Sequence, residues 1–297
     1  MKDSDAGSRS VTRRQLLGGI LGGCAAATLP WPARAAPARS RVVLIRDRDV
    51  VDGNGKLRAA TLEQMLDQAV TRLLDAANAT AAWRRLLRPQ DTLGIKSNVW
   101  QFLPTPPELE QVLRKRARAA GVREERISVD DRGVLGNPVF QRSTALINIR
   151  PMRTHHWAGV GSLIKNYIMF VPHPARYHPD SCADLAAIWK LPHVAGRTRL
   201  NVLVMLTPLF HGLGAHHYDP RYVWRYGGLL VGTDPVAVDS VGLRIILAKR
   251  RAHFKEERRL QPSAKHIAIA DERHHLGTAD PKRIELIKLG WADGALV

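Results

Sequence analysis

The sequence predicts an α/β fold, a mainly parallel sheet covered by helices. From residue 41 onward, short β-branched runs alternate with longer helical stretches, the pattern of strands that are crossed over by helices. The 297 residues are 45% apolar and 24% charged, enough to bury a real core, which excludes a disordered, collagenous or membrane-embedded chain. Composition shifts near residue 150 without a linker, so two intertwined lobes fit as well as two domains.

The elements follow in order. Strands are expected at 41–46, 92–97, 126–130, 144–149, 200–206, 228–232 and 284–289, each a short β-branched or aliphatic run. Helices are expected at 61–78, 106–120, 181–190 and 234–252. The second opens on Pro106-Pro107-Glu108, prolines and an acid at the positive end, and stops at Gly121. The last has Asp234 as N-cap and Pro235 in its first turn, and its apolar positions run most of the way round, so it should be buried. Residues 151–181 lack regular pattern and are rich in Pro, His, Gly and Arg; such segments after strands lie along the carboxyl edge of a parallel sheet, where ligands bind.

Ahead of this lies an address. Ser10 to Leu17 carries Arg13-Arg14 and leads into a weakly apolar stretch, Leu16 to Leu29, broken by four glycines and shorter than the ~20 residues that cross a bilayer. This resembles a twin-arginine export signal, with Ala33-Arg34-Ala35 as the cleavage site. Residues 1–35 are then the signal peptide and 36–297 the mature α/β domain, which is periplasmic or otherwise extracytoplasmic and has no stable transmembrane span. The resemblance implies the twin-arginine translocase as a partner during export and a passenger that crosses folded, often with a cofactor already loaded. A second reading stays open: Leu21-Gly22-Gly23-Cys24 resembles a lipoprotein box, which would tether the chain through Cys24.

The 45 Lys+Arg against 27 Asp+Glu leave a net charge of +18, a field that attracts anions. No zinc-finger spacing and no basic run interleaved with aromatics is present, so nucleic acid is not an expected partner. Beyond the signal the only cysteine is Cys182, which excludes an internal disulfide and a Cys-ligated iron–sulfur cluster; it reads as a small buried hydrophobe.

Eight of the 12 histidines fall between 155 and 217, a concentration that suggests a metal or a proton-transfer site, although no H-E-x-x-H or C-x-x-C spacing accompanies it. Within that window, Asn148 to Asn166 runs from a strand end through Arg153 and His155 and a glycine bend to Lys165 and Asn166. Glycines let backbone N–H groups approach an anion, the cations supply charge, and the imidazole is a proton donor or acceptor. Ser162-Leu163-Ile164-Lys165 also fits the S-x-x-K string of penicillin-recognising enzymes, but the companion K-T-G and S-D-N strings are missing and that reading is rejected.

The stretch Ile147–Asn166 resembles the "N-V-P-K-x-K-T-H … G-V-T-x-x-x-K-N" hallmark of the family called domain of unknown function 362. Leu93–Asn98 is similar to its "V-G-I-K-x-N", Gly232–Asp239 to its "G-x-D-P-V-A-V-D", and Leu276–Gly290 to its closing glycine segments. The resemblance spans roughly 90–290. It implies no settled activity, and a fold distantly similar to the amino-terminal part of lactate racemase. By position it carries over Lys96, Asn98, His155, Lys165, Asn166, Asp234 and Asp239. Arg153 stands where the family has Lys, which keeps the charge but removes a deprotonatable amine. The segment 207–217 replaces an acidic glycine-rich loop with His211, His216 and His217, a set that favours a softer transition metal, Zn, Cu or Ni. Asp234 reads first as an N-cap. Asp239, on an apolar helix, must find a partner, with Lys96 or Lys165 as candidate counter-ions.

These residues lead to two expectations. In the first, a cationic pocket at the carboxyl edge binds a small anionic molecule: Lys96, Arg153 and Lys165 hold it, Asn98 and Asn166 orient it, Asp239 belongs to the site, and His155 and Lys165 are the catalytic candidates of a racemase-like or redox enzyme. In the second, the chain is a non-enzymatic periplasmic metal-binding protein that uses the histidines of 155–217 through His211, His216 and His217. A third reading, an adaptor that binds anionic envelope polymers, rests on charge alone.

Overall fold

A computed structural model describes residues 39–212 and 218–297; the export segment, Cys24, His216 and His217 lie outside the described residues. The strands are β1 (Ser40–Arg46), β2 (Leu93–Lys96), β3 (Ile127–Asp130), β4 (Ala145–His155), β5 (Gly159–Gly161), β6 (Thr198–Leu209), β7 (Gly228–Gly232) and β8 (Ile284–Gly290). The helices are α1 (Ala59–Leu73), α2 (Ala79–Leu86), α3 (Pro107–Ala119), α4 (Pro138–Gln141), α5 (Leu163–Asn166), α6 (Pro179–Cys182), α7 (Pro235–Phe254) and α8 (His266–Glu272). The strands form one mixed sheet in the order β3-β2-β4-β6-β7-β1-β8, with β5 paired to β4. Pairings are parallel except around β7 and between β4 and β5. This is the expected α/β fold.

Both faces of the sheet are covered, which is why its central strands are apolar on alternate and intervening positions alike. Ile147, Ile149, Val202 and Val204 face a core with Leu62, Leu66, Trp83, Leu109 and Leu113 of α1–α3. Leu146, Leu203 and Met205 face the other, with Leu163 and Ile164 of α5 and Val238, Val241 and Ile245 of α7. As expected, α7 starts on Asp234, whose carboxylate accepts from the amides of Val236 (2.8 Å) and Ala237 (3.0 Å), and its first two turns are buried.

Three segments depart from the sequence reading. The helix expected over 61–78 stops at Leu73 because Asp75 turns left-handed (φ 46°), and Asn78 caps a separate α2 through the Ala81 amide. The helix expected over 181–190 is instead a left-handed turn, with φ of 51°, 56° and 61° at Asp180, Ser181 and Cys182, followed by a 3₁₀ segment at Leu185–Lys190. β4 continues six residues beyond the expected end, to His155, and folds back on β5.

Candidate functional site

Lys96 ends β2, Asp131 follows β3, and β4 carries Asn148, Arg150 and Arg153 past them; these three strands are neighbours and parallel, so their carboxyl ends bring the residues together. In register, Lys96 stands opposite Asp130 on one side and Asn148 on the other. The α5 turn adds Lys165 and Asn166. All six of Lys96, Asn98, Arg150, Arg153, Lys165 and Asn166 are buried.

Asn166 is the hub. Its Nδ2 donates to Asn148 Oδ1 (2.8 Å), Ile149 O (3.0 Å) and Lys96 O (3.3 Å), and its Oδ1 accepts from Lys96 Nζ (3.4 Å) and Asn98 Nδ2 (3.5 Å). Asn98 Oδ1 accepts from Arg153 Nη1 at 3.0 Å, and the Arg153 guanidinium lies 4.2 Å over the Trp100 ring. Lys96 pairs with Asp131 and donates to Ser97 O at 2.8 Å; burial, only partly offset by Asp131, pulls its ammonium down to about 8.

Asp239 holds this arrangement from beneath. Its carboxylate accepts from the Ser162 hydroxyl (2.7 Å) and the amides of Leu163 and Ile164 (2.9 Å each), which fixes the start of α5. The expected counter-ion is therefore corrected: Lys96 pairs with Asp131, Lys165 contacts Cys182, and Asp239 is a positioning group whose orphan lone pairs are met by a turn. Burial pushes it up to about 6.

Arg150 is singled out by no motif in the sequence. It is 4% exposed, and its buried Nε, like the Nε of Arg153, has no hydrogen-bond partner among the described residues. Burial draws it down to about 10, against the pull of Asp131, Asp239 and Cys182. β5 leaves room for it: a Cβ on Gly161 would stand 2.8 Å from Arg150 Nη2 and 3.4 Å from Arg153 Cγ. Burial also holds Arg153 well below its usual range, reinforced by Arg150.

His155 accepts from the Trp157 amide at Nδ1 (3.1 Å), so the neutral ring carries its proton on Nε2. Burial and the charges of Lys165, Arg150 and Arg153 hold it far below the ordinary histidine range. His155 is thus a neutral N–H donor. It lines a cavity of about 870 Å³ together with Thr154, His211, Tyr222, Arg250 and Arg258.

The partners expected for His211, namely His216 and His217, lie outside the described residues. The His211 Nδ1 lies 3.0 Å from Arg250 Nη1, so that nitrogen accepts from a guanidinium. Among the described residues no group of three His, Cys, Asp or Glu side chains is placed to hold a metal ion.

Comparison with known proteins adds one match. Residues 117–244 match the family described as Domain of unknown function (DUF362). That segment runs from the end of α3 into α7 and contains Asp131, Asn148, Arg150, Arg153, His155, Lys165, Asn166 and Asp239, while Lys96 and Asn98 precede it. No curated protein and no solved structure matches the chain. No helix of the described residues is long and apolar enough to cross a membrane.

Proposed function

We propose that the chain is an exported protein that binds a small anionic molecule, of carboxylate or phosphate type, beside Arg150 and Arg153. Four buried cations, Lys96, Arg150, Arg153 and Lys165, stand against two buried carboxylates, Asp131 and Asp239. Asp131 is engaged by Lys96 and Asp239 by α5, so among the described residues the buried Nε of Arg150 is left without an acceptor. That unmatched guanidinium carries the reading: a buried Arg fork demands acceptors, and an oxyanion supplies them bidentately.

A racemase-like conversion needs a base on each face of one carbon. With His155 held below its ordinary range, Lys165 is the other expected catalytic base, and it has no carboxylate partner among the described residues. Export by the twin-arginine route is supported by Arg13-Arg14 and the short glycine-broken apolar stretch alone.

The test is calorimetric titration of inorganic phosphate and of acetate into the purified chain and into Arg150→Gln. Loss of a charged hydrogen-bond pair should weaken the tighter anion by roughly tenfold to a hundredfold. Equal affinity in the two proteins would sink the assignment.

A further inference from the structure

Two lysines are buried in the cluster, and they are held differently. Lys96 is clamped, its ammonium paired with Asp131 and bonded to Ser97 O. Lys165, 3% exposed, has no carboxylate beside it among the described residues; its one hydrogen-bond partner is the Sγ of Cys182, 3.7 Å away. The left-handed turn at Asp180, Ser181 and Cys182 brings that thiol to the amine. The guanidiniums of Arg150 and Arg153 act on it as like charges. Burial, with those two cations and against the pull of Cys182, draws its ammonium down to about 8, so about a tenth of it is free amine at pH 7. A buried amine beside an unmatched guanidinium is an amine beside a carboxylate receptor.

We propose that Lys165 captures the carbonyl carbon of a small 2-oxo carboxylate as an imine, with the carboxylate held by Arg150. This deepens the anion-site reading and rests on it. The ammonium first loses its proton to solvent. The Nζ lone pair then forms a C–N bond to the carbonyl carbon as the C=O π pair moves to oxygen, which takes up a proton. The nitrogen gives up its two protons, so that the oxygen gains a second one and departs as water while the nitrogen lone pair closes the C=N bond. Nothing is oxidised or reduced, and no co-reactant is needed. Arg150 sets the preference: a simple aldehyde or ketone lacks the group that it binds, and a simple carboxylate lacks the carbon that Lys165 attacks.

The experiment uses the purified full chain, pyruvate as probe and cyanoborohydride to reduce any C=N bond to a stable secondary amine, with the modified residue located by peptide mapping. The expected result is one adduct per chain, on Lys165, formed at least tenfold faster than with acetone and slowed by excess inorganic phosphate. No adduct, or adducts spread over exposed amines such as Lys115, overturns the proposal. The adduct is located in the wild-type chain, so no weakened variant is needed, and Lys165→Arg must abolish it. Phosphate binding that depends on Arg150 without an adduct on Lys165 removes the imine and leaves the anion site standing. Absence of both removes both.

Discussion

Arg46 and Arg250 are buried as deeply as Arg150, at 3% and 4% exposure against 4%, yet their surroundings differ in kind. Arg46 donates to Tyr226 O (2.9 Å), Asp293 O (2.6 Å) and Trp291 O (3.3 Å), and lies about 4 Å over the Tyr226 and Trp291 rings. Arg250 donates to the carbonyls of Phe210 (3.0 Å), Arg258 (3.1 Å) and Arg259 (3.3 Å). Each is a rivet that joins segments distant in sequence. Arg150, on β4, makes no such bond among the described residues, and its buried Nε has no partner. A buried cation with its acceptors built into the backbone serves the fold, whereas one without them is a cost that folding alone does not explain.

The largest expected effect separates the two kinds most sharply. Arg250→Met strips donors from three carbonyls that tie α7 to the segments at 210 and 258–259, and should lower unfolding free energy by about 3 kcal/mol in urea titrations. A loss under about 1 kcal/mol would mean that the hydrogen-bonded rivet is decoration and the contrast with Arg150 is empty.

A middle-sized effect lies in the pH dependence. Lys165 is drawn down to about 8 in the folded chain from an ordinary lysine value of 10.5. A depressed amine means that the unfolded chain binds more protons between those values, so stability rises with pH across roughly 8 to 10.5 and is lost as pH falls through 8. The slope from this one group is at most about 1.4 kcal/mol per pH unit. Stability should therefore rise between pH 7 and pH 9.5 in the wild type and rise less in Lys165→Met, where Lys96, also drawn down to about 8, keeps its own share of the slope. Bound phosphate should flatten the slope as well, because an anion beside Lys165 restores its ordinary basicity. A rise with pH that is as large in Lys165→Met as in the wild type contradicts the placement.

Much of the scaffold is legible in the sequence, and the site only in part, for a physical reason. Strands such as 228–232 announce themselves by local apolar runs, so their existence and even their limits can be read directly. β4 hides its second half, since Pro151 and four charged or polar side chains break the alternation and a register shift between Pro151 and Arg153 bends the ladder. Had the strand been carried through, Asn148 and Arg150 would have fallen on the face opposite Ile147 and Ile149, and Arg150 would have stood out as a cation inside a sheet. Lys96 and Lys165 are marked by motif. Their partners are not: Asp131 reaches Lys96 across 35 residues and Asp239 reaches Ser162 across 77, and no local pattern encodes such pairs.

The smallest expected effect is the most telling. Methionine nearly fills the volume of an arginine stem and needs no acceptor, so at a position where the guanidinium has none, Arg150→Met removes a desolvation cost and leaves no orphaned partner. Its effect on the stability of the unliganded chain should fall within about 1 kcal/mol of zero, on either side, while phosphate loses its ability to raise the melting temperature. The two readouts must part company. A variant that loses several kcal/mol like Arg250→Met would show that Arg150 is anchored in the fold after all. One that keeps the phosphate response would move the anion elsewhere. Stability retained with response lost is the signature of a side chain kept for what it binds.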